Sequence, residues 1–164
     1  MYIRVKKIKG NDYVYSVKNK WTKKGPRQIS KKYIGRLYFL EDNNDISFDD
    51  LNFINAYSHK EILREVFKKT LENYGFSLKN GKMVKENFVG SILQFRLSKN
   101  KKEVVLKSKE GFLSGYLLKK ILKYVPKRKS FEEDSLEFTK LIVNSGLLLS
   151  KEAFVEWFRK VYNN

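Results

Sequence analysis

Lys18, Lys20, Lys23, Lys24 and Arg27 crowd around Trp21 within ten residues. That spacing places several cations and one large ring on a single turn. Ammonium and guanidinium groups pair with phosphate oxygens, and an indole stacks on a base or a ribose. The same turn reads equally well as a solvated hairpin whose Trp21 covers a sheet. Further basic groups recur along the chain: Arg4 and Lys6, then Lys31, Lys32 and Arg36, then Lys99, Lys101 and Lys102. Lys119, Lys120, Lys123, Lys127, Arg128 and Lys129 close the series. Holding a polyanion is the chemistry such clusters suit.

Other chemistries lack parts. His59 is the only histidine, expected exposed on the first turn of a helix, and there are no cysteines. Triads, thiolate catalysis, disulfides and zinc–thiolate sites fall away together. A metal-dependent nuclease needs clustered carboxylates, yet the basic segments hold only Asp12, Glu86, Glu103 and Glu110. No Glu-x-Lys or Asp-x-Lys triplet and no Gly-rich phosphate loop occurs, and nothing singles out one of the ten tyrosines as a nucleophile. The expectation is a non-enzymatic protein with no cofactor and no metal.

The charge balance sharpens this. Thirty-five basic residues stand against eighteen acids, a net of +17. A genome poor in G and C inflates lysine, but it should inflate the acids too, and they lag. A field of this size opposes compaction unless a polyanion offsets it. Residues 1–40 carry +11 and residues 76–129 carry +12, while 41–75 carry −4 and 130–164 carry −2. Two basic blocks therefore hold the positive field, and whether they share a face depends on the fold. With 41% hydrophobic residues there is material for a core. No apolar run approaches the roughly 20 residues of a spanning helix, and no signal-peptide core follows the N-terminus. A soluble, cytoplasmic protein is expected.

The elements that must position these clusters follow from period and punctuation. Residues 2–8, 13–17 and 28–35 read as strands separated by Gly10-Asn11 and Gly25-Pro26. They predict a three-stranded antiparallel meander, a basic module over residues 1–40. Residues 41–57 read as an acidic linker with a short helix begun by Ser47 and Asp50. Residues 58–164 read as an α+β domain with a basic middle (76–129) and a helical C-terminus (130–164). Ser58 with Glu61, and Ser130 with Glu133, have capping-box spacing. Asn80-Gly81 marks a hairpin, residues 89–97 suit strand or buried helix, and 94–98 and 103–107 suggest strands around a basic turn. A helix is expected over 112–125, with Leu113, Leu117, Ile121 and Leu122 inward. Ala153, Phe154, Trp157, Phe158, Val161 and Tyr162 form one stripe of the last helix. Such a stripe is ordinary core, or a docking face for a second copy or a protein partner centred on Phe154, Trp157 and Phe158. The helix–Gly–helix of 130–162 invites a helix-turn-helix reading, but that segment is net acidic where a groove-binding helix should be basic.

The run Arg4-Val5-Lys6-Lys7, Gly10, Tyr13-Val14-Tyr15-Ser16-Val17, Gly25-Pro26-Arg27-Gln28 and Tyr33-Ile34-Gly35-Arg36 resembles a short β-rich N-terminal segment of some insertion-sequence transposases and Fic-type proteins. The resemblance covers residues 2–36 and implies an accessory module in contact with nucleic acid. It brings no catalytic residues. The reading as a whole is an α+β protein that binds nucleic acid through backbone and shape, RNA or a ribosomal site ahead of double-stranded DNA. A protein-interaction module is the alternative, and attachment to an anionic membrane surface ranks last.

Overall fold

Period-two alternation in the first forty residues builds three long strands, β1 (Tyr2–Ile8), β2 (Asn11–Thr22) and β3 (Gly25–Phe39). Lys9 and Gly10 both have positive φ (48° and 79°) between β1 and β2. That pair of left-handed residues gives a two-residue turn whose twist matches the strands it joins. The computed structural model describes residues 2–23, 25–41, 47–109 and 111–163, without the side chains of residues 30 and 31.

The expected three-stranded module is instead one wing of a larger sheet. β4 (Ser77–Lys79), β5 (Lys82–Lys85), β6 (Phe88–Ser91), β7 (Arg96–Lys99) and β8 (Lys102–Lys107) continue it in the order β1-β2-β3-β8-β7-β6-β5-β4, with β9 (Phe112–Leu113) against β8. β3 and β8 run parallel, Arg36–Phe39 beside Val104–Lys107, and the other pairings between these nine strands are antiparallel. Gly35 makes the junction close: a Cβ there would lie 3.0 Å from the Glu103 carbonyl oxygen and 3.1 Å from Val104 Cα.

Five helices complete the α+β architecture among the described residues: α1 (Leu51–Ala56), α2 (His59–Asn73), α3 (Gly115–Leu122), α4 (Phe131–Ser145) and α5 (Lys151–Asn163). α2 starts at the expected capping box, with Ser58 and Glu61 each satisfying the other's backbone N–H. Ser130 caps α4 through the Glu133 N–H. The short helix α1 is capped by Asp50, which accepts from the Phe53 N–H, rather than begun at Ser47. Residues 89–97, open between strand and helix, resolve into β6, a turn and β7. The helix expected over 112–125 is shorter at both ends. Phe112 and Leu113 pair with β8, and Ser114 caps α3 by accepting from the Leu117 N–H.

β8 divides the core. Val104 and Leu106 join the main cluster with Leu63, Phe67, Leu118, Phe138 and Trp157. Val105 points the other way and packs with Val14, Ile34 and Leu37. The main cluster ties α2, α3, α4 and α5 to the sheet. Fully burying one such aliphatic or aromatic side chain contributes about 1.5–3 kcal/mol.

Candidate nucleic-acid interface

α3 carries a polar stripe on the side away from Leu117, Leu118 and Ile121. Tyr116, Lys119, Lys120 and the C-cap Lys123 recur at i, i+3, i+4 and i+7, so they share one helical face. The core residues on the opposite side hold that face against β3. The Tyr116 hydroxyl donates to Ser16 Oγ (3.2 Å), a buried residue of β2, and fixes the helix over the meander.

The result is a cleft of about 590 Å³. Its lining includes Lys32, Tyr33 and Ile34 of β3, the α3 stripe, then Tyr124, Val125 and Lys127, with Glu137 and Leu141 from α4 and Glu103 from β8. The loop after α3 is held by Asp134, 1% exposed, whose carboxylate accepts from the backbone N–H groups of Lys127 (3.1 Å) and Arg128 (2.8 Å). Tyr124 donates to the Asp134 carbonyl (2.8 Å), and burial, followed by the nearby acids Asp134 and Glu137, pushes its pKa up to about 12. It stays a neutral phenol across the physiological range.

The ammonium groups of Lys32 and Lys120 each sit 5.1 Å from the Tyr116 ring centroid. Two like charges are thereby gathered at one ring, one from each basic block of the sequence. The attraction of a cation for an exposed ring is about 0.5–1 kcal/mol, below the roughly 1.5–3 kcal/mol of a hydrogen bond to a charged group. The rings help to position both lysines at the cleft, where a phosphate would add the stronger interaction. Of the two acids in the cleft, Glu137 binds Lys127 (2.5 Å) and Glu103 faces Arg96 (3.6 Å). The ion pair with Glu137 holds the Lys127 pKa above its ordinary value. The cleft stays positive.

A second surface lies on the meander. A bulge sets Val14 opposite Gly35 and Tyr15 opposite Tyr33, so Ile34 is the extra residue. Ile34 and Gly35 are buried, while Tyr33 and Arg36 are exposed on the other side. Tyr33 meets Tyr15 (5.5 Å) and Tyr13 (6.1 Å) ring to ring. Lys6 lies over Tyr15 (5.0 Å), and Arg36 and Lys99 lie over Tyr38 (5.2 and 4.5 Å). Lys99 also covers Phe88, and Arg4 bonds to Gln28.

The remaining expected residues stand apart from these two surfaces. Lys18, Lys20, Lys23 and Arg27 are exposed around the β2–β3 turn, and Trp21 is 79% exposed there, so its ring does not cover the sheet. Lys24 lies outside the described residues; Lys31 lies in β3 with its side chain undescribed. Lys101 and Lys102 are exposed at the β7–β8 turn, and Lys101 lines a separate shallow hollow with Lys82 and Arg96. Arg128 and Lys129 are exposed in the loop before α4.

Phe154, Trp157 and Phe158, open in the sequence between core and docking face, lie in or against the core. Trp157 is fully buried and Phe158 is 2% exposed, while the half-buried Phe154 stacks on Phe138 (5.8 Å). That stripe is core because α4 and α2 close over it. His59, expected exposed, is half-buried between Trp157 and the end of α3. Tyr116, Tyr33 and Tyr124 were not singled out from the sequence. Tyr116 was within reach, because it completes the spacing of Lys119, Lys120 and Lys123.

Among the described residues no cluster of three or more His, Asp or Glu side chains is placed to hold a metal ion. No described helix is long and apolar enough to cross a membrane. In comparisons with known proteins the chain matches no family model, and neither the curated proteins nor the solved structures yield a significant match.

Proposed function

We propose that this protein binds nucleic acid without catalysis, reading the phosphate backbone and shape of structured RNA. The observation that carries the reading is the joining of the two basic blocks: Lys32 and the Lys119–Lys123 stripe face one cleft around Tyr116. Lysines spaced along a cleft neutralise successive phosphates and release counterions. Exposed rings at Trp21 (79%) and Tyr33 (50%) favour RNA over duplex DNA, because they need unpaired bases to stack on.

Affinity purification from the source cells at low salt, followed by separate RNase and DNase digestion, tests the class of partner. RNase-sensitive material supports the reading, whereas DNA alone, or a protein partner that survives high salt, sinks it. Binding by the triple variant Lys32→Ala, Lys119→Ala, Lys123→Ala then tests the cleft. Each lost phosphate contact should reduce the salt slope by about 0.7 for a single strand, so the triple variant should lose roughly 2. An unchanged slope would remove the cleft from the contact surface.

A further inference from the structure

Three tyrosines on the open side of the meander form a surface that the core does not need. In register, Arg4, Tyr15 and Tyr33 make one cross-strand row, and Lys6, Tyr13 and Arg36 make the next. Neither row contains a carboxylate. Tyr33 is 50% exposed, and Ile8, Tyr13, Tyr15 and Tyr33 enclose a hollow of about 260 Å³. Rings clustered 5.5–6.1 Å apart would normally be roofed by a helix, as the other wing of the sheet is. Here they are edged by cations.

We infer that this patch is a stacking platform for unpaired bases of RNA, with Arg4, Lys6 and Arg36 along the adjoining phosphates. Base stacking on aromatic rings tolerates any sequence, because every base has a flat face. Alternating rings and cations match the alternating bases and phosphates of a single strand, and a duplex hides its base faces. Tyr33 also borders the lysine cleft on the opposite face of β3, at an edge that β8 leaves unpaired, so a strand that rounds this edge can reach both. The inference rests on the nucleic-acid reading above and adds the surface on which the unpaired bases stack.

The test compares an end-labelled, short single-stranded RNA of mixed sequence with the same RNA annealed to its complement. Wild type should prefer the single strand. Tyr33→Ala should weaken single-strand binding roughly tenfold and duplex binding by less than about twofold, with an unchanged salt slope because the ring carries no charge. Tyr33→Phe keeps the flat face and should bind as wild type, which separates stacking from any loss of folding. Equal losses on both RNAs, or no loss with Tyr33→Ala while the triple lysine variant is impaired, would overturn the platform and leave the cleft standing. No binding of either RNA by wild type would remove both readings.

Discussion

The two ring nitrogens of His59 have different partners, and those partners decide its charge. Trp157 Nε1–H donates to His59 Nδ1 (2.9 Å), so Nδ1 accepts and the ring proton sits on Nε2, which donates to the Ile121 carbonyl (2.9 Å). A second proton would face the indole N–H head on. Burial holds the pKa below 6.5, against the raising effect of the bond to Ile121. The folded state therefore prefers neutral histidine, while the unfolded chain protonates near 6.5. Stability should be full above that pH and fall as pH drops from 6.5 towards the lowered folded value. Denaturant titrations at neutral and mildly acidic pH should show this loss, and His59→Gln should flatten that part of the profile. Trp157→Phe leaves Nδ1 without its donor and should cost about 1–3 kcal/mol. The sequence placed His59 correctly on the first turn of α2 but not its burial, because the residues that cover it come from α3 and α5.

At the scale of elements, punctuation was legible and lateral contacts were not. Ser58, Ser130, Asn80-Gly81 and the end of α4 at Gly146 are set by residues within four positions of one another, so local chemistry reveals them. β9 was hidden because Phe112 and Leu113 are apolar enough to extend the helical pattern, although Ser114 marks where α3 begins. The loop from Lys127 to Lys129 looks like a free basic tail in sequence but is tethered by Asp134. Asp134→Ala should therefore release two backbone N–H groups, destabilise the fold by about 1–3 kcal/mol in thermal melts, and weaken nucleic-acid binding by loosening the cleft wall. At the β2–β3 turn Lys23 and Arg27 are exposed. Lys23→Ala with Arg27→Ala should leave the melting temperature within about 2 °C of wild type and lower the salt slope if the turn reaches phosphate. An unchanged slope would confine contact to the cleft and platform.

For the molecule as a whole, net charge and partner work against each other in salt. A chain of +17 repels itself, so raising ionic strength should stabilise the free protein while weakening its complex with nucleic acid. Melting temperature and affinity should thus move in opposite directions over one salt series. Parallel movement would indicate that binding is not electrostatic. The two basic blocks were evident in sequence, but their meeting was not. It depends on β3 lying parallel to β8, a pairing across sixty-eight residues from Arg36 to Val104 that no local pattern announces.

That long-range pairing also sets an order of assembly. During synthesis the β1–β2–β3 hairpins are local and can close as soon as they emerge, with Tyr33 and Lys32 already in place. Their neighbour β8 arrives some seventy residues later, and the opposite wall of the cleft is complete only with Lys127 and the Asp134 that holds it. The surface that gathers the charges thus exists only once β8, α3 and the first turns of α4 have followed the meander. A nascent chain stalled before residue 104 displays the tyrosine rows but has no cleft.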